Sequence, residues 1–148
     1  MQIGMIGLGR MGANLVRRLV RQGHDCVVFD QNPETVGGLI GQRIVGATDV
    51  ADLVARLDRP RNVWVMVPAG EITETTVHAV AAELTEGDTI IDGGNSYYRD
   101  DMRRSAELRS RGLHYVDCGT SGGVFGLERG FCLMIGGDTE AVGRLRPI

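Results

Sequence analysis

Short apolar runs rich in β-branched residues alternate along the chain with segments whose apolar positions recur at helical spacing. The runs predict strands at 2–6, 25–29, 43–45, 62–67, 89–91 and 114–117. Between the first two, residues 11–21 place Leu15, Val16, Leu19 and Val20 on one side and Arg17, Arg18 and Arg21 on another, which predicts an amphipathic helix. Further helices are expected from a Thr48 or Asp49 cap to residue 57, over 73–84, from a Ser96 cap to residue 110, and over 139–145 behind Asp138. Gly23, Gly87 and Gly112 each follow a helical stretch, where a left-handed residue ends the turn. A glycine-rich loop is expected over 119–130, then an apolar run at 132–135 and a turn at 136–138. Alternation of this kind is the pattern of a parallel sheet covered by helices.

Glycine changes that picture from a fold class to a candidate site. The chain has 22 glycines in 148 residues, about twice the usual share. Gly7, Leu8, Gly9, Arg10, Met11 and Gly12 spell GxGxxG between the first strand and the first helix. In that context Gly7 permits the tight turn, Gly9 lets backbone approach a pyrophosphate, and Gly12 lets the helix pack on the strand. Asp30 ends the second strand 18 residues after Gly12, near the spacing expected of the carboxylate that binds an adenosine ribose. The expectation is a Rossmann-type, doubly wound α/β fold, with a mostly parallel sheet, helices on both faces, and residues 1–148 forming one dinucleotide-binding domain. Asp30 accepts from both ribose hydroxyls and repels a 2′-phosphate, and the next residues, Gln31 and Asn32, are neutral, so NAD is the expected cofactor. Arg10 and Arg43 keep NADP open. Val67 and Pro68, where the fourth predicted strand ends, are further candidate cofactor contacts at the carboxyl edge of the sheet.

Composition then removes alternatives. All 16 basic residues are arginine, so no phosphate-loop lysine, Schiff base or lysine proton-transfer base exists in the chain. A net charge of −3 gives no electrostatic case for nucleic acid or an anionic membrane as partner. Cys26, Cys118 and Cys132 are odd in number and far apart, with no histidine at metal-ligand spacing, and are expected to be reduced thiols, mostly buried, with no metal site. No apolar stretch approaches a membrane span and no leader pattern opens the chain, so a cytoplasmic location is expected. His24, His78 and His114 show no partner arranged for acid or base work, Tyr97 and Tyr98 are expected mainly to pack, and Arg103, Arg104, Arg109 and Arg111 read as a solvated helix face.

Two later glycine turns complete the candidate site. Asp92, Gly93, Gly94, Asn95 and Ser96 follow the fifth strand and set an amide against the crevice with little bulk around it. Gly119, Thr120, Ser121, Gly122 and Gly123 follow the sixth, as a candidate nest for a carboxylate. Together, GLGRMGANL at 7–15, DGGNSYYRD at 92–100 and TSGGVFGLERGFCLMIGG at 120–137 resemble the 6-phosphogluconate dehydrogenases of the β-hydroxyacid dehydrogenase superfamily, over essentially the whole chain. The GGNS element separates that family from its 3-hydroxyisobutyrate dehydrogenase-like relatives.

The resemblance implies that Asn95 contacts substrate and lies near the nicotinamide, as a candidate contact of both substrate and cofactor, and that Ser121, Gly122 and Gly123 bind the carboxylate and hydroxyl end of a sugar acid. It implies oxidative decarboxylation of 6-phosphogluconate to ribulose 5-phosphate. Hydride leaves C3 for the nicotinamide, the β-keto acid loses carbon dioxide, and the enediol is protonated. In the family the base is a lysine and the acid a glutamate, both beyond residue 148. Phosphate recognition comes largely from a later helical domain and a partner subunit, which implies a homo-oligomer at full length. The helical pattern at 139–145 with the end of the sequence close behind it predicts an incomplete chain, inactive by itself. This chain departs from the family at Asp30, Gln31 and Asn32, where an Asn-Arg-Thr type segment often holds an NADP phosphate. It departs also at Pro68, often lysine, and at Val124 and Phe125, often acidic. Other readings are a dehydrogenase acting on a different small hydroxy acid and a nucleotide-binding module without catalysis.

Overall fold

The computed structural model describes residues 1–148, apart from the side chain of Val124. Seven strands form one sheet in the order β3-β2-β1-β4-β5-β6-β7. They are β1 (Gln2–Ile6), β2 (Asp25–Phe29), β3 (Ile44–Gly46), β4 (Asn62–Val65), β5 (Thr89–Asp92), β6 (His114–Ser121) and β7 (Cys132–Gly137). The first six pair in parallel, and β7 alone runs antiparallel, against β6. The chain winds outward from β1 in both directions, so the strand order reverses between β1 and β4. A crevice opens there at the carboxyl ends of the strands.

Alternation along each strand supplies two cores. On one face Ile3, Met5, Val28, Trp64 and Val116 pack against Leu15, Val16 and Leu19 of α1 (Arg10–Arg21) and Ala141 of α7 (Thr139–Arg144). On the other, Ile6, Val27, Val63, Val65 and Ile90 meet α3 (Val50–Ala55), α4 (Glu71–Glu83) and α5 (Tyr98–Arg109) through Leu53, Val54, Val77, Val80 and Leu108. The doubly wound architecture is therefore present, with helices on both faces. Gly23, Gly87 and Gly112 all take positive φ, as their places predict. No helix among the described residues is long and apolar enough to cross a membrane.

Four expectations need correction. The strand expected at 62–67 ends at Val65. The loop expected over 119–130 begins as strand, because six residue pairs with β7 carry β6 out to Ser121. A 3-10 turn (Gly123–Phe125) and the short α6 (Gly126–Arg129) fill the rest. Ser96 does not cap α5: Tyr97 occupies that place without a side-chain bond, while Ser96 Oγ–H donates to Asp92 at 2.8 Å. Arg104 is not on a solvated face, being only 2% exposed.

Candidate dinucleotide site

The loop from β1 into α1 is shaped by contacts that a side chain would destroy. Gly7 has φ +91°, and a Cβ there meets the Met66 carbonyl oxygen at 2.4 Å; a Cβ at Gly12 meets the Gly7 carbonyl oxygen at 2.0 Å. Gly9 differs, since a Cβ there meets nothing within 4 Å and points into open space. Helix α1 begins behind it with no side-chain cap and no acidic residue in its first turn. Every other α-helix among the described residues, including the short α2 (Pro33–Gly37) with Glu34, has a carboxylate in its first turn. The positive end of α1 is thus left uncompensated at the mouth of the crevice, which suits an anion.

Gly9, Arg10, Met11 and Gly12 form one wall of this crevice, a cavity of about 640 Å³. Val67, Pro68 and Ala69 line it from the end of β4, Gly93, Gly94 and Asn95 from β5, and Gly119 and Thr120 from β6. The Thr73 hydroxyl fixes the β4 turn by donating to the Pro68 carbonyl at 2.9 Å. Asn95 is exposed in the crevice, and its amide has no partner among the described residues. Ser121, Gly122 and Gly123 are exposed beyond the lining residues, so the structure brings Thr120 to the crevice and leaves those three outside it. Gly122 and Gly123 both take positive φ, which turns the chain away after Ser121. Of the Val124 and Phe125 departure, the Val124 side chain lies outside the described residues, and Phe125 is exposed.

Asp30 sits beside a second cavity of about 580 Å³, lined by Phe29, Pro33, Val36, Ile40, Ala47 and Thr48 among others. Its carboxylate also holds the glycine loop. Leu8 N–H donates to Oδ2 at 2.7 Å, and Asn32 N–H to Oδ1 at 2.9 Å. Each oxygen keeps a lone pair free for a further donor. Leu8 itself is 2% exposed, so its side chain is core and its N–H is already used. Arg10 is exposed in the crevice wall, whereas Arg43 pairs with Asp25 and the Gly23 carbonyl.

Beneath the β5 turn lies a buried polar cluster that sequence reasoning missed. Asp92 and Arg104 are each at most 2% exposed and Asp101 is 5% exposed. Arg104 Nη1 lies 3.4 Å from Asp92 Oδ2 and 3.3 Å from Asp101 Oδ1, and the Tyr115 hydroxyl is 2.9 Å from each of those oxygens. Burial, with Asp92 and Asp117 nearby, pushes the Asp101 carboxyl up to about 6. Spacing held the missed signal: Asp101, Arg104 and Leu108 recur at i, i+3 and i+7, which is one stripe of a helix.

The remaining candidates take structural places. Cys26 and Cys118 are buried, and burial pushes their thiols up to about 12 and 11, while Cys132 is exposed; all three are free. His78 lies 2.9 Å from Glu74 and His114 lies 3.7 Å from Asp138, both away from the crevice. Tyr97 and Tyr98 are more than half exposed rather than packed. Among the described residues no cluster of metal-binding side chains occurs.

Comparison with known proteins agrees with this geometry. The chain is 44% identical over its full length to an NAD(+)-dependent, decarboxylating 6-phosphogluconate dehydrogenase of Haloferax volcanii, covering 48% of that protein. It is 41% identical over 99% of its length to a decarboxylating 6-phosphogluconate dehydrogenase of Treponema pallidum, covering 31% of it. The chain thus spans half or less of the curated relatives it matches. Among solved structures, Plasmodium falciparum 6-phosphogluconate dehydrogenase superposes with a TM-score of 0.90 at 28% identity, over 99% of this chain and 32% of that one. Mycobacterium tuberculosis 3-hydroxyisobutyrate dehydrogenase gives 0.87 at 30%, over 99% and 50%. The family model for the NAD binding domain of 6-phosphogluconate dehydrogenase matches residues 2–148, and the chain belongs to that family.

Proposed function

We propose that residues 1–148 are the dinucleotide-binding domain of an NAD-preferring 6-phosphogluconate dehydrogenase. The observation that carries the cofactor part is the uncapped N-terminus of α1 behind Gly9, the one α-helix among the described residues with neither cap nor acidic first turn. Its N–H groups and Gly9 hold the pyrophosphate. The free lone pairs of Asp30 accept from the adenosine ribose, with the adenine in the cavity between Phe29 and Thr48. Val67 and Pro68 lie along the nicotinamide half. When bound, NAD supplies the hydride acceptor.

Asn95 orients the sugar acid, since its amide offers both a donor and an acceptor within the crevice. Thr120 borders the same space, and Ser121, Gly122 and Gly123, which follow it in sequence outside the lining, are assigned to the carboxylate end on the resemblance alone. The chain has no lysine, so it holds cofactor and substrate while the lysine base implied by the resemblance is not among its residues. The likeness to 3-hydroxyisobutyrate dehydrogenase favours a second reading, a different small hydroxy acid as substrate. Asn95 within GGNS weighs for the sugar acid phosphate.

Calorimetric titration of the 148-residue chain with NAD and NADP tests the assignment. NAD binds more tightly, by about tenfold, or 1.4 kcal/mol. Asp30→Ala removes that preference. Because Asp30 also holds Leu8 and Asn32, both cofactors lose some affinity, and the ratio between them is the diagnostic quantity. An equal loss for both overturns the ribose role. The chain alone gives no turnover of 6-phosphogluconate, and measurable turnover overturns the division of labour.

A further inference from the structure

The Asp92 carboxylate touches the turn on both sides of Asn95. Gly94 N–H donates to Oδ1 at 2.9 Å, and Ser96 Oγ–H donates to Oδ2 at 2.8 Å. Asn95 is the residue between them. The floor of the turn is equally tight, because a Cβ on Gly93 falls 2.0 Å from Trp64 Nε1 and 2.4 Å from Met66 Sδ. Gly93 therefore rests directly on the indole.

Asp92 is in turn fixed from α5 and β6. Arg104 is the cation paired with it among the described residues, and the Tyr115 hydroxyl joins Ser96 and Arg104 as its third side-chain partner. Arg104 is itself aimed by Glu74 of α4, which accepts from Nε at 2.9 Å and is gripped by both terminal nitrogens of Arg103. A buried carboxylate with three side-chain partners and one backbone partner has little freedom to rotate. Its orientation decides where Gly94 and Ser96 sit, and so where Asn95 projects.

We propose that Arg104, acting through Asp92 and supported by Tyr115, is a positioning residue that holds Asn95 in the crevice. Arg104 lines no part of the crevice, so its effect is transmitted entirely by the carboxylate. The functional half of this claim rests on the reading of Asn95 as a contact at the nicotinamide end. The geometric half stands on the hydrogen bonds alone.

The two halves are separable by experiment on the 148-residue chain. Trp64 is the sole tryptophan, so its indole gives one N–H resonance that reports on Gly93, and the Gly94 amide resonance reports on Asp92. Arg104→Gln and Tyr115→Phe are expected to shift both resonances, whereas Arg109→Gln, exposed on the same helix and without a bond to this cluster, shifts neither. In titrations, both variants weaken NAD by about five- to tenfold and leave ADP-ribose, which lacks the nicotinamide, within about twofold of the parent chain. Asn95→Ala does the same, and adding Arg104→Gln to it costs nothing more, as expected of two residues acting in one chain of contacts. Unmoved Gly94 and indole resonances in folded Tyr115→Phe overturn the proposal even if Arg104→Gln fails to fold. Equal loss of NAD and ADP-ribose overturns it too, because that marks a merely structural role. If Asn95→Ala leaves NAD binding unchanged while the resonances move, the Asn95 reading falls and the positioning by Arg104 stands.

Discussion

A methyl group added at Gly9 and one added at Gly12 do opposite things, though the two stand only three positions apart. At Gly12 the new carbon lies 2.0 Å from the Gly7 carbonyl oxygen, in backbone that cannot yield without opening the β1–α1 junction. Gly12→Ala is expected to cost about 3 kcal/mol or more of stability, read as a lowered melting temperature. At Gly9 the same carbon meets nothing within 4 Å, and φ of −59° suits alanine. Gly9→Ala is therefore expected to melt like the parent chain and to lose NAD affinity, because the carbon enters the space proposed for the pyrophosphate; unchanged NAD binding contradicts that assignment. The sequence motif assigns Gly12 to helix packing and Gly9 to the ligand side, and the close contact at Gly12 agrees with the first assignment, but local spacing does not reveal contacts made at long range. The same limit applies to Ser96, whose place before a helix reads as a cap. Its actual partner, Asp92, is set by Arg104 and Tyr115, 12 and 23 residues away in sequence, a distance that local spacing does not cover.

At the scale of elements, strands flanked by β-branched residues are legible because their alternation reflects two buried faces. The end of β6 is not. Residues 119–123 are three glycines with Thr120 and Ser121, glycine is depleted in strands, and β6 reaches Ser121 only because β7 returns alongside it. Tertiary pairing also fixes the segment that follows. Arg18 and Arg21 of α1 both reach the Leu127 carbonyl, at 3.2 and 3.5 Å, and Arg21 pairs with Glu128 at 3.0 Å. The helix that offers its N-terminus to the crevice thus clamps the short α6 with the arginines of its outer face. The exposed Arg21–Glu128 pair contributes little, and the half-buried Arg18 bond contributes about 0.5–1.5 kcal/mol. Arg18→Ala is expected to raise amide hydrogen exchange over 126–131 with no change in β1 or β4. Unaltered exchange there would show that β6 and β7 alone hold the segment.

Across the whole molecule the two apolar cores carry the stability, and the polar cluster between α5 and the sheet gives it a pH dependence. Asp101 is faced by Arg104 on its own helix, by Asp92 on β5, and by Tyr115 and Asp117 on β6, beside a cavity of about 510 Å³. Tyr115 has one hydroxyl proton for two carboxylates, so a proton on Asp101 relieves the competition as well as the cost of burial. Its pKa of about 6 stands above the ordinary carboxylate value of 3.8, so the native chain binds this proton more tightly than the unfolded chain. Stability from Asp101 is therefore fully present below about pH 4 and is lost as pH rises through about 6. Glu74 acts in the opposite sense: its bonds to Arg103 hold its pKa below the ordinary value, so its contribution fades only as pH falls below 4.5. Between pH 5 and 7.5 the Asp101 effect dominates, which makes Asp101→Asn the informative variant. It keeps an acceptor for Tyr115 and Arg104 while removing the titration. Relative to the parent chain, this variant should gain about 1–3 kcal/mol on going from pH 4 to pH 7.5, measured by urea denaturation at each pH. A difference between the two proteins that stays constant over that range would mean that Asp101 is ionised in the native state throughout, with Arg104 compensating its charge in full.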